Sequence, residues 1–192
     1  MKMCLFGAAA LLALAGSVSA QVVDGTRDAG QAQLAVQNTQ TQFGNSNLGF
    51  INFANGSELD GVYASVSGGN LNLTFSGNLE SNFNKFELFI DSKAGGQNVL
   101  RGDNPNVDFN GLNRMAGMTF KGAFSPDYWI STTGGDTGGG NYGYFASGAE
   151  LLTGGGGNGQ FLGGNNGQSG GALGGGSNFL GVLSAINYSN TG

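Results

Sequence analysis

Apolar and polar positions alternate along short stretches of this chain, and the period is two. In "LDGVYASVSGGNLNLTF", residues 59–75, Val62, Ala64 and Val66 alternate with Tyr63 and Ser65, the chain turns at "SGGN", and Leu71, Leu73 and Phe75 alternate with Asn72 and Thr74. That pattern predicts a β-hairpin with one buried face. "FNKFELFIDS", residues 83–92, repeats it, with Phe86, Leu88 and Ile90 opposite Lys85, Glu87 and Asp91. "MTFKGAF", "DYWISTTG", "NYGYFAS" and "NFLGVLSAINYS" are further strand candidates, separated by Gly, Pro, Asp and Asn. "QAQLAVQNTQT", residues 31–41, fits either a helical turn or an edge strand. Many short strands without a long amphipathic pattern predict an all-β fold, an antiparallel β-sandwich or barrel.

From Gly134 to Gly176 the alternation gives way to Gly with Asn, Ser, Thr and Gln, broken by aromatic islands at Tyr142 to Phe145 and at Phe161-Leu162. Glycine loses much backbone entropy on ordering and adds no side chain to bury, so most of this low-complexity region is expected to be mobile loop. A short glycine-rich hairpin or a solenoid is the alternative. Calcium-binding nonapeptide solenoids need an aspartate in every turn, and none occurs after Asp136.

The first residues read as an address. Lys2 precedes an apolar run from Leu5 to Gly16 and then "SVSA", with Val18 and Ala20 at the positions a signal peptidase reads. The run is shorter than the roughly 18–20 residues of a membrane span, which predicts cleavage after Ala20, secretion, and no transmembrane segment in the mature chain. Cys4, the only cysteine, leaves with the leader, and the chain has no histidine. A disulfide framework is therefore excluded. Residues 21–192, about 170, make a single domain long enough for a core. The net charge of −5 becomes more negative when Lys2 is lost, which argues against nucleic acid and anionic lipid as partners.

"RGDNPNVDFNG", residues 101–111, carries the densest candidate chemistry. Asn104, Asn106, Asp108 and Asn110 fall on alternate residues and Gly111 follows, as oxygen ligands are spaced around a hard cation; Asp103 adds a second carboxylate. Two readings stay open: a calcium site on Asp103, Asn104, Asn106, Asp108 and Asn110, or a loop whose Asx side chains bond their own backbone. The twelfth position from Asn106 is Gly117 rather than glutamate, so the loop is not an EF-hand. Zinc and copper centres, and Ser-His or Cys-His nucleophiles, lack the imidazole and thiolate they need. A carboxylate pair is the remaining hydrolytic machinery, with Glu80, Glu87, Asp91, Asp108, Asp127 and Glu150 as candidates for a glycoside hydrolase. Nothing in their spacing orders two of them across a cleft, so the chain is read as non-catalytic. In "DYWIS", Tyr128 and Trp129 take opposite faces of one strand; the exposed one would stack on a sugar ring, while the competing reading is a core tryptophan with a surface tyrosine. The RGD triplet, Arg101 to Asp103, reads as solvated loop.

"VDGTRDAGQAQLAVQNTQTQFG", "ANGSELDGVYASVSGGNLNLTFSGNLESNFNKFELFIDSKAGGQN", "LRGDNPNVDFNGLNRM" and "DYWISTTGG" together resemble a group of bacterial exported proteins that usually end in a PEP-CTERM sorting signal. Their domain is similar to the DOMON-like and family-9 carbohydrate-binding-module sandwich, and "VDGTRDAG", with Asp24 and Asp28, is like its opening strand and turn. The resemblance implies a jelly-roll or DOMON-like sandwich at the cell surface or outside the cell. Its implied role is to bind an extracellular glycan or matrix; the Asx spacing adds calcium as a stabilising ion to that expectation. A structural or adhesive surface protein without a small ligand is the alternative. Haem-binding DOMON domains use Met and His, a pair that Met115 and Met118 cannot complete here. The chain stops at "NYSNTG" with no sorting signal, so a C-terminal truncation is expected, and with it the loss of the surface anchor.

Overall fold

The computed structural model describes residues 26–36, 57–79, 82–166, 172–174 and 183–185. The expected signal peptide, Asp24, Glu80 and the end of the chain lie outside the described residues.

The hairpin read from the sequence forms in the expected register, but the face expected to be buried is not: Val66 and Leu71 beside the turn are exposed, and Val62, Ala64, Leu73 and Phe75 are only partly covered. β2 (Glu58–Ser67) and β3 (Asn70–Asn78) pair antiparallel, with Val62 opposite Phe75, Ala64 opposite Leu73 and Val66 opposite Leu71. Gly68 and Gly69 make the turn at φ +59° and +81°, the left-handed region that two-residue hairpins demand. The ambiguous stretch beginning at Gln31 supplies an edge strand, β1 (Ala32–Val36), which completes a three-stranded sheet β1-β2-β3. The second sheet has the order β4-β5-β6-β7: β4 (Asn82–Ile90), β5 (Tyr128–Asp136), β6 (Tyr142–Glu150) and β7 (Gly159–Asn166). A short pair, β8 (Ala172–Gly174) and β9 (Leu183–Ala185), follows. The fold is an all-β sandwich of antiparallel sheets. Strands adjacent in the two larger sheets are consecutive in the chain, so each is a meander. Phe75 packs on Phe86 with ring centroids 4.8 Å apart, Asn84 donates to the Ser57 hydroxyl at 3.0 Å, and these contacts join the two sheets.

Two expectations are corrected. "MTFKGAF" is not a strand; its only ladder contact is an isolated bridge between Val99 and Thr119. Asn98 explains the irregular path, because its amide donates to the carbonyls of Phe120, Gly122 and Phe124 and holds them in a curl. The glycine-rich region is also more than loop, since β7 runs through it in register with β6 and buries Leu162. Aromatic rings occupy the space its glycines leave. A Cβ on Gly143 or Gly164 would press into the Phe145 ring, and one on Gly135 into Phe83. The strand keeps its backbone hydrogen bonds and gains packing from its neighbours' rings, which offsets the entropy that argued for a loop.

The second sheet is covered on both faces. One carries Phe86, Leu88, Ile130, Ala146 and Leu162, and through Phe86 meets the first sheet. The other carries Lys85, Glu87, Phe89, Trp129, Ser131 and Thr133. Residues 91–127 fold back over this second face as a cap. Leu100 and Leu112 from the cap join Trp129, Ala149 and Leu151 in the main core, with Phe89, Val107, Met115 and Phe120 around them.

Candidate functional site

The cap is held down by amides. Gln97 and Asn104 are both buried: the Gln97 amide donates to Asn104 Oδ1 at 2.7 Å and to the Leu152 carbonyl at 2.8 Å, while Asn104 Nδ2 donates to the Arg101 carbonyl at 2.8 Å. Asn113 receives the Asn104 backbone N–H at 2.9 Å and donates to the Asn104 carbonyl and to Asn110 Oδ1. Buried amides satisfied in this way fix one conformation, because breaking any member strands the others. At the root of the cap, Asp127 accepts from the backbone N–H groups of Ser92 and Lys93 and from the Ser92 hydroxyl. Burial alone would raise the Asp127 carboxyl, but these hydrogen bonds outweigh it and hold the group below the usual aspartate range.

These bonds explain the Asx-rich run. The five side chains expected around a calcium ion do not converge on one centre. Asp103 is taken by the Arg101 guanidinium, at 2.8 and 2.7 Å, and the resulting closed pair folds the RGD triplet on itself. Asn104 is buried in the amide network, Asn106 is exposed, and Asn110 accepts from Asn113. Asp108 points the other way, onto Lys85 and Ser131. Among the described residues no three acidic, imidazole or thiol side chains gather as metal ligands would. The alternate spacing thus hands these side chains to separate partners, most of them other side chains.

The stacking pair divides as its alternation requires. Trp129 is fully buried, so it offers no face to an external ring. Tyr128 is half-buried, and the Lys93 ammonium lies 4.5 Å over its ring and donates to its hydroxyl at 2.7 Å. The most exposed aromatic among the described residues is one that the sequence reading passed over. Phe109 is 90% exposed, at the tip of the cap. Asp108, Phe109 and Asn110 form a single turn with φ of +51°, +52° and +64°, and the one-turn helix α1 (Gly111–Arg114) follows. Asp and Asn tolerate the left-handed region, whereas a bulky residue there is strained. Asp108 is pinned to the sheet and Asn110 to Asn113, so Phe109 has no relaxed alternative between them.

Beneath this tip lies a polar cluster inside the core face. Lys85 and Glu87 are neighbours on one face of β4, and Glu87 stands opposite Ser131 on β5. The Lys85 ammonium contacts Asp108 Oδ2 directly, and the Ser131 hydroxyl donates to the same oxygen at 3.2 Å. The Trp129 indole N–H donates to Glu87 Oε2 at 2.5 Å. Burial pushes the Glu87 carboxyl up to about 7, against the lowering pull of the Trp129 hydrogen bond and of Lys85; the Asp108 charge adds to the rise. Of the five described carboxylates considered for hydrolysis, Glu87 and Asp108 are brought together here. Asp91 caps the Ser125 N–H, Asp127 the start of the cap, and Glu150 lies at the surface near Lys93.

No family model matches the chain, and neither does any curated protein or solved structure.

Proposed function

We propose that the chain is a secreted, non-catalytic binding module that engages an extracellular glycan or matrix polymer through the Phe109 tip. One observation carries this reading: a phenylalanine held 90% exposed in a left-handed turn. Single exposed apolar residues are ordinary, but backbone strain persists only where surrounding contacts enforce it, and it concentrates at sites of function. An aromatic ring on a rigid base stacks on the apolar face of a sugar without first losing conformational entropy. The Asn side chains at 106 and 110 and the net charge of −5 suit a neutral, hydroxyl-rich polymer better than an anionic one. Hydrolysis by Glu87 and Asp108 is less favoured, because the Asp108 side chain is only 9% exposed and already held by Lys85 and Ser131.

A glycan and matrix-polymer array probed with the mature protein tests the proposal. Wild type should retain a reproducible subset of ligands, and Phe109→Ala, with unchanged circular dichroism, should lose at least tenfold in affinity for them. Equal binding by the variant would remove Phe109 from the site. Absence of any wild-type ligand would leave the structural, adhesive reading in its place.

A further inference from the structure

We propose that Lys85 and Asp108 become joined by an amide bond between Nζ and Cγ, formed by the folded chain itself with loss of one water. The proposal stands apart from any role for Phe109. It rests on how the fold assembles three side chains. Lys85 projects from β4 and Asp108 from the cap, and the amine lies directly against the carboxylate. Asp108 cannot swing away, since it sits in the left-handed turn, is 9% exposed, and also accepts from Ser131. A third group, the Glu87 carboxyl, lies two residues from Lys85 on the same strand face and opposite the same Ser131. The Trp129 indole N–H fixes its position. Because burial keeps a proton on Glu87 up to about neutral pH, it is placed as an acid beside an amine and a carboxylate.

The step balances without an oxidant or a co-reactant. Lys85 passes a proton to Asp108 across their contact, which leaves a neutral amine and a neutral acid. The Nζ lone pair attacks Cγ and forms the new C–N bond, while the carbonyl π pair moves to oxygen. Glu87 gives its proton to the departing hydroxyl and takes one from Nζ, so the C–O bond breaks, water leaves and Glu87 is restored. An ammonium and a carboxylate have become an amide and water, with no change in net charge. Amide formation is unfavourable between dilute reactants in water. Holding the two groups in contact makes the step intramolecular, and well-oriented intramolecular reactions reach effective concentrations of roughly 10⁵–10⁸ M, which lowers the barrier and offsets the cost of bringing dilute reactants together. The link would tie the tip of the cap to the sheet. The chain has a single cysteine and so cannot close an internal disulfide; this amide is a covalent tie of another kind.

The test is the intact mass of the folded protein at pH 7, whichever N-terminus the sample carries, followed by proteolysis and sequencing of linked peptides. Wild type should be one water lighter than its sequence requires, with a branched peptide joining residues 85 and 108. Lys85→Arg and Asp108→Ala should both carry the full mass. Glu87→Gln keeps an acceptor for Trp129 but not the proton relay, and should slow linkage after refolding by about 10²- to 10⁴-fold. Full mass in wild type after prolonged incubation overturns the proposal, as does a water loss found in another peptide, such as one spanning Asp60-Gly61. Linkage in Glu87→Gln as fast as in wild type overturns the role given to Glu87. The wild-type mass is decisive even if a variant fails to fold.

Discussion

Raising the pH from 5 to 8 should destabilise this protein, and Glu87 should be the cause. Its carboxyl ordinarily titrates at 4.5, and in the folded chain at about 7, chiefly because burial penalises the charged form. Between those two values the native state holds a proton that the unfolded chain has lost. Stability therefore falls as pH rises through this window: the contribution is fully present below 4.5 and gone once the folded group has ionised. At about 1.4 kcal/mol for each tenfold difference in proton affinity, the upper bound is about 3 kcal/mol. Water reaches part of this half-buried side chain and screens the charge, so about 2 kcal/mol is the expected loss. For a domain of this size that lowers the melting temperature by roughly 4–8 °C. The window is clean, because the chain has no histidine and the depressed Asp127 titrates well below it. Burial acts whether or not Lys85 and Asp108 are linked, so the prediction does not depend on that bond. Melting curves at pH 5, 6, 7 and 8 measure the slope, and the emission of Trp129, the only tryptophan, reports on the hydrogen-bonded carboxyl itself. Glu87→Gln should flatten both. Equal wild-type melting temperatures at pH 5 and 8, or an undiminished slope in the variant, would refute the burial argument.

Phe109→Gly should raise stability by roughly 1 kcal/mol, since the ring is exposed and glycine relieves the left-handed strain; a lower melting temperature would show that the turn is not strained. Asn104→Ala should cost about 2–3 kcal/mol in urea unfolding, because it removes three hydrogen bonds inside a buried amide network. A loss under 1 kcal/mol would mean that water replaces the amide.

How much of this could be read in advance depends on which interactions are local. The β2-β3 hairpin was legible in its register, because alternation and two adjacent glycines specify it without help from the rest of the chain, but not in its burial, since Val66 and Leu71 are exposed. β4 was legible as a strand but not as a two-sided one. Lys85 and Glu87 looked like a solvent face, and the signal that they were not was Phe89, an apolar residue on the polar side of the alternation. What covers them comes from residues 91–127, whose path is set by amide contacts such as Gln97 to Leu152, 55 residues apart. β7 was hidden for a similar reason, since its glycines acquire meaning only beside Phe145. The Asx run was legible as oxygen-rich, and its spacing matched two chemistries. What the spacing could not show is that Arg101, Lys85 and Asn113 each contact one of the expected ligands.

The distribution of constraint within the cap bears on function. If the 91–127 segment served only to shield Trp129, its apolar residues and the amides of Gln97, Asn98 and Asn104 would suffice, and the tip could relax. Instead the tip is fixed separately at both flanks, Asp108 to Lys85 and Ser131 and Asn110 to Asn113, in a conformation a phenylalanine does not favour. Strain at Phe109 of roughly 1 kcal/mol brings the core nothing, because the ring touches solvent rather than protein. A covalent tie at Asp108 would make that presentation proof against fraying, and a carboxyl made neutral by burial at Glu87 is the group such a tie requires. The cluster under the tip and the ring on top of it are thus two ends of one arrangement, joined through a single residue, Asp108.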